Sequence, residues 1–281
     1  LLELKNEKTR FKMKDLTVYI TTCDDNMFIT KYFQYFFNKY WSKDIKVKIL
    51  GFSPPDFNLE PNFEFISIGE KQIGGAKGWS NYLIDFFSSI DDEYFIFGID
   101  DFIVSREVNL ESLEVCVKLM SDKIGRIDLQ PSLQYARDPR FVSHYETIKG
   151  VEFLQLSQTG NGMDIYQNSG AFSIWNKKWF LKNIKRDWSP WDWEITGSKM
   201  ANNDGHLVLG VKDVWPVKKL ELLSGRAWPG VINTTGIRTT DLSVMKNIRK
   251  EDDRVYEYKN ITSGYGYNRV GKNWLDVIFG E

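Results

Sequence analysis

The run EYFIFGIDDFIV, from Glu93 to Val104, most limits what this chain can fold into. Its apolar stretch Tyr94-Phe95-Ile96-Phe97 is too short for a spanning helix and rich in aromatic and β-branched residues, so it reads as a buried strand. It ends in two adjacent carboxylates, Asp100 and Asp101. In open α/β sheets, ligands lie outside the carboxyl ends of such strands. Acidic groups placed there cost desolvation energy unless something pairs with them. A divalent cation or the hydroxyls of a sugar would serve.

The pieces around this strand repeat one alternation. Leu16 to Thr22 reads as a strand that runs into the polar turn Cys23-Asp24-Asp25-Asn26. Phe28 to Trp41 carries Ile29, Phe33 and Tyr40 at helical spacing. Lys46–Phe52 and Phe63–Ile68 read as two further strands, and Trp79–Ile90 as a second helix. The order β-α-β-β-α-β predicts an α/β fold, three layers with a central, mostly parallel sheet covered on both faces. Asn109 is placed to cap a helix to about Met120, with Gly125 just past its end, and Ile127–Gln130 predicts a short strand. Residues 131–168 read as polar loop. Gly170–Trp175 predicts a strand and Asn176 the cap of a helix. Pro190 suits a first helical turn, and His206–Lys212 predicts another strand. We expect one domain over 1–281, with one half at 16–125, another at 126–225, and C-terminal loops at 226–281 as a possible lid.

Composition narrows the function. Thirty-seven basic side chains against 38 acidic ones leave no charge excess for a polyanion, so no nucleic-acid partner is expected. No apolar stretch has transmembrane length, and the charged N-terminal segment has no signal-peptide pattern. The two cysteines, Cys23 and Cys116, form neither a disulfide framework nor a metal spacing. The expected setting is cytoplasmic. Asn233-Thr234-Thr235 and Asn260-Ile261-Thr262 match the glycosylation acceptor pattern by chance. Ten tryptophans and 19 phenylalanines suit a sugar site, although aromatic side chains also fill cores.

Several positions carry candidate chemistry. Thr21, Thr22, Asp24 and Asp25 sit at the tip of the first strand, where hydroxyls and carboxylates suit ribose and base edges; a plain turn with a helix cap is the alternative. Gly74, Gly75, Lys77, Gly78 and Trp79 form a Gly-rich, basic entry to a helix, able to cradle a diphosphate or merely to bend, and no Walker spacing is present. In Pro190-Trp191-Asp192-Trp193-Glu194, either carboxylate can take a proton from a hydroxyl, while Trp191 and Trp193 can stack on an acceptor ring. The same acids also suit a helix start, where the dipole lowers their pKa. Gly170 and Ala171 allow close backbone approach, to a ligand or to a neighbouring helix. His206 is one of only two histidines; His144 has no chemical context.

Taken in order, the Asp turn after strand one, the acidic strand end near residue 100, the small-residue strand GAFSIW and the Trp-flanked acidic helix resemble the nucleotide-sugar glycosyltransferases of the GT-A fold, over roughly residues 16–215. The resemblance implies a nucleotide-diphosphate sugar donor and a saccharide or other hydroxyl acceptor, with 16–125 as the nucleotide-binding half and 126–225 as the acceptor and catalytic half. It implies donor contacts at Thr21, Thr22, Asp24, Asp25, Lys77, Trp79, Asp100, Gly170 and Ala171, with acceptor contacts at Trp191 and Trp193. It implies a base at Glu194 or Asp192, Glu194 fitting slightly better. It also implies a divalent metal (Mn or Mg) on Asp101 with His206. The family's Asp-any-Asp pattern is one carboxylate short here, since Ile99-Asp100-Asp101-Phe102 cannot supply both ends. A non-catalytic carbohydrate-binding protein and a nucleotidyltransferase are the alternatives; the latter needs N-terminal glycines that the segment after Thr22 lacks.

Overall fold

The computed structural model describes residues 16–71, 73–104, 107–130, 142–157, 166–212, 232 and 234–236. Strands β1 (Thr17–Thr21), β2 (Lys46–Gly51), β3 (Phe63–Ser67) and β4 (Tyr94–Ile99) alternate with helices α1 (Ile29–Tyr40) and α2 (Trp79–Ser89) as expected. The short strand β5 (Phe102–Val104) follows, then α3 (Leu110–Leu119) and β6 (Ile124–Asp128). Asn109 caps α3 by accepting the Ser112 N–H at 3.0 Å. The second half holds β7 (Val142–Ile148), β8 (Val151–Leu156), β9 (Ser173–Asn176), α4 (Lys177–Lys182), α5 (Pro190–Asp192), α6 (Ser198–Ala201), β10 (Leu207–Val211) and β11 (Thr234–Gly236).

Nine strands form one sheet in the order β3-β2-β1-β4-β9-β6-β10-β8-β7. Strands β1 to β4, β6 and β10 run parallel, while β9 is inserted antiparallel between β4 and β6. Alternation along each strand divides the core into two layers. Val18, Ile20 and Ile96 pack beneath α1 and α3, with Phe33, Phe37 and Leu113. Tyr19, Phe95, Phe97 and Trp175 face the other way, against Phe87 of α2, Trp179 and Phe180 of α4, and Trp193. The mostly parallel mixed sheet, with helices on both faces, is the expected fold class.

Three local expectations need correction. Gly125 does not end α3 but lies inside β6, where a Cβ would come within 2.4 Å of the Trp179 ring; close packing explains it, not a helix cap. The region read as polar loop contains the β7–β8 hairpin, whose outer strand is half-exposed and so lacks a strong apolar pattern. The strand expected at 170–175 begins only at Ser173. The tail read as loops and lid lies mostly outside the described residues, as do Asn233 and Asn260; within it, β11 pairs antiparallel with β5. No helix among the described residues is long and apolar enough to cross a membrane.

Candidate active site

Register brings the candidate residues to one end of the sheet. Thr21 of β1 lies beside Ile99 of β4. Phe97 pairs with Ser173, so the head of the reversed β9 lies near β4's carboxyl end. Asp128, the last residue of β6, pairs with the same Ser173. The tips of β1, β4 and β6 and the segment Gly170-Ala171 therefore meet. His206 does not join them: it precedes β10, whose first residue pairs with Ile124 at the amino end of β6. Its ring lies 3.3 Å from Asp204 and against Trp179. The expected metal role for His206 fails on this geometry.

Asp100 and Asp101 occupy the turn between β4 and β5. Asp100 is buried, and its carboxylate accepts the Thr22 hydroxyl at 2.6 Å. Its amide donates to the Thr21 carbonyl at 3.2 Å, locking the acidic turn onto β1. Burial, then the negative charge of Asp101, pushes the Asp100 pKa up to about 7. Asp101 is pushed up to about 6, by burial and also by the charge of Glu194. Its Oδ1 is shielded from solvent and has no hydrogen-bond partner among the described residues. An orphan carboxylate oxygen in an acidic cluster is a group prepared for a cation or a donor.

The acidic run of α5 separates into two different residues. Ser189 accepts the Asp192 amide, and Asp192 Oδ2 accepts both the Ser189 amide (3.0 Å) and hydroxyl (2.7 Å), a reciprocal capping box. Those bonds hold the Asp192 pKa below the usual carboxylate range. Asp192 is thus spent on the helix start, which removes it as a base. Glu194 follows on a π-type turn, Trp193–Gly197. Its Oε1 accepts the Gly170 N–H at 2.7 Å. Burial raises its pKa, opposed by that bond and by the positive charge of Arg126. The expected lowering by the helix dipole is overridden by desolvation.

Arg126 is the residue that sequence reasoning missed. It is 1% exposed in the middle of β6, with its guanidinium 5.4 Å from the Trp175 ring. Nη2 donates to the Tyr166 carbonyl at 3.1 Å and lies 3.8 Å from Asp128. Nε and Nη1 have no partner among the described residues. Burial lowers its pKa, while the charges of Asp128 and Glu194 support the ionised form. The signal was present in the sequence as a lone arginine inside the strand Ile124-Gly125-Arg126-Ile127-Asp128.

The other candidates take mixed places. Asp24 is tied to the Ser53 amide (2.9 Å) and hydroxyl (3.0 Å), bracing the β1 tip against the end of β2. Asp25 is exposed. Lys77 is exposed on the turn before α2, near enough for its charge to act on Asp192. Trp79 and Trp193 are ring neighbours at 5.5 Å, and Trp193 is 1% exposed. Trp193 is therefore core, not an acceptor platform, whereas Trp191 is 64% exposed. Gly170 and Ala171 are both buried, Gly170 close against Ile99; the Gly170 amide serves Glu194. No group of three or more metal-ligating side chains occurs among the described residues.

No family model and no curated protein matches the chain. Similarity is found to solved structures of three glycosyltransferases. One is the mannosyltransferase PcManGT from Pyrobaculum calidifontis in complex with GDP-Man and Mn2+, at TM-score 0.41 and 10% identity over 73% of this chain and 58% of that one. Another is the glycosyltransferase GlyE of Streptococcus pneumoniae TIGR4, at TM-score 0.39 and 12% identity, covering 69% and 44%. The third is the bifunctional glycosyltransferase WbbM, at TM-score 0.39 and 11% identity, covering 69% and 38%. This chain thus spans less than two thirds of the length of each.

Proposed function

We propose that this chain transfers a sugar from a nucleotide-diphosphate donor to a hydroxyl acceptor, with Glu194 as the base. The observation that carries the reading is Glu194 itself. It is a half-buried carboxylate fixed on the Gly170 amide, raised in pKa, and electrostatically coupled to Asp101 at the carboxyl end of β4. A base must reach the proton and bind it well enough to remove it, and burial improves the second property.

In this reading the acceptor hydroxyl gives its proton to the Glu194 carboxylate as its oxygen attacks the anomeric carbon. The carbon–oxygen bond to the diphosphate breaks in the same displacement. Gly170 keeps the carboxylate from swinging away. Thr22 and Asp100 form the floor beside the β1 tip, where the nucleoside end of the donor would lie. Exposed Trp191 offers a face for the acceptor ring. The orphan Oδ1 of Asp101 fits a divalent cation of the kind held by one or two carboxylates plus substrate phosphates. Such a cation, when bound, stabilises charge on the leaving diphosphate.

The test is a thermal-shift panel of UDP, GDP, dTDP and CDP, each with and without manganese. A specific ligand at one hundred times its Kd stabilises the fold by about 2.7 kcal/mol, which is readily measured. Stabilisation by one nucleotide, abolished in Asp101→Asn and kept in Glu194→Gln, is expected. No response to any nucleotide under either condition would remove the reading.

A further inference from the structure

Glu194 stands on an irregular turn, and the structure contains the device that keeps it irregular. We propose that Asn168 is a positioning residue: its buried side chain wedges the π-type turn open and thereby aims the Glu194 carboxylate at the Gly170 amide. This rests on the reading of Glu194 as base.

Asn168 is fully buried. Its Nδ2 donates to the Trp193 carbonyl at 3.2 Å and the Asn183 carbonyl at 3.1 Å. Its backbone N–H donates to the Ser198 hydroxyl at 3.0 Å. Trp193 opens the π-type turn and Ser198 follows it, so one residue grips both ends. Gly197 makes this possible: a Cβ there would lie 2.4 Å from Asn168 Nδ2 and 2.9 Å from the Asn183 carbonyl. Two residues after Asn168, Gly170 holds Glu194 Oε1. The segment 168–170 and the turn are thus joined at three points.

A π-type turn carries one residue more per hydrogen-bonded loop than an α-helix. Drawing it back to α spacing rotates side chains by up to one residue's worth, about 100°. That is ample to take Glu194 off its anchor. Asn168 is therefore the residue whose loss lets the turn relax, although it touches no reacting atom.

Two perturbations from opposite sides test this, Asn168→Ala and Gly197→Ala, the second standing in if the first does not fold. In crystal structures of the variants, Glu194 should leave Gly170 by more than about 1 Å; a retained 2.7 Å contact overturns the proposal. Turnover is read as nucleoside diphosphate released from a panel of UDP-, GDP- and dTDP-sugars. For Asn168→Ala we expect kcat to fall about 100-fold, with donor KM within about threefold of wild type. The double variant with Glu194→Gln should be no slower than Glu194→Gln alone, because both act through one carboxylate. Losses that multiply, or a wild-type kcat, overturn it. Full rate in Glu194→Gln defeats the base assignment instead, while the crystallographic comparison still judges Asn168.

Discussion

Asp192 and Glu194 are two residues apart in the chain and differ in what their charge costs. Asp192 is stabilised as an anion by Ser189 at a helix start, whereas Glu194 is desolvated beside Asp101. Glu194→Gln should lower kcat by about 100- to 10,000-fold, the range for a lost general base. Asp192→Asn should leave kcat near wild type and lower stability through the weakened capping box. Steady-state kinetics and chemical denaturation of both variants check the pair. Asp100 adds a pH dependence in the metal-free protein. Its folded pKa is about 7 against a usual 3.8. Between those values the unfolded chain has released the proton and the folded one has kept it. Stability therefore falls as pH rises through that window, by about 1.4 kcal/mol per unit, and levels off above it. Asp101, pushed up to about 6, contributes in the same direction over the lower part of that window, so urea titrations with chelator at pH 4.5 and 7.5 should show a fall that Asp100→Asn reduces without abolishing. The place of the acidic pair was legible because the buried apolar run stops at it, which puts both acids at a strand's carboxyl end. The residues alone left Asp192 and Glu194 open, and only the resemblance tipped slightly to Glu194; the capping box that engages Asp192 through Ser189 came from the structure. Asn168 was not legible, since its role depends on Trp193 and Asn183 reaching it through the fold.

At the scale of elements, strands with apolar side chains on both faces announced themselves, and half-exposed ones did not. β4 is buried almost throughout and was read within its bounds. β7 is largely exposed or half-exposed along its length and was read as loop. Its hairpin turn is Lys149-Gly150, with φ of 49° and 81°. Two consecutive left-handed residues are the signature of a type I′ turn, in which Asn-Gly is the favoured pair. Lysine at the first position hid the turn and strains it. Lys149→Asn should relieve that strain and stabilise the protein by about 0.5–1 kcal/mol. A raised denaturant midpoint at unchanged m-value would register it.

At the scale of the whole molecule, the sheet is assembled out of chain order. Parallel pairing of β1 to β4 followed from the alternation of helices and strands. The reversal of β9 and its place between β4 and β6 could not be read from GAFSIW, because a strand's neighbours are chosen by the whole sheet. A fragment ending at residue 130 contains β4 and β6 but lacks the strand that joins them. Both then offer open backbone edges flanked by apolar side chains, which template association between chains. Such a fragment should sediment as aggregate, and the full chain should not; analytical ultracentrifugation distinguishes them. During synthesis, then, the open edge of β6 emerges from the ribosome about 45 residues before the strand that shields it, and that of β4 about 74, or several seconds at ordinary elongation rates. A nascent chain that stalls in that interval is the form most in need of a chaperone.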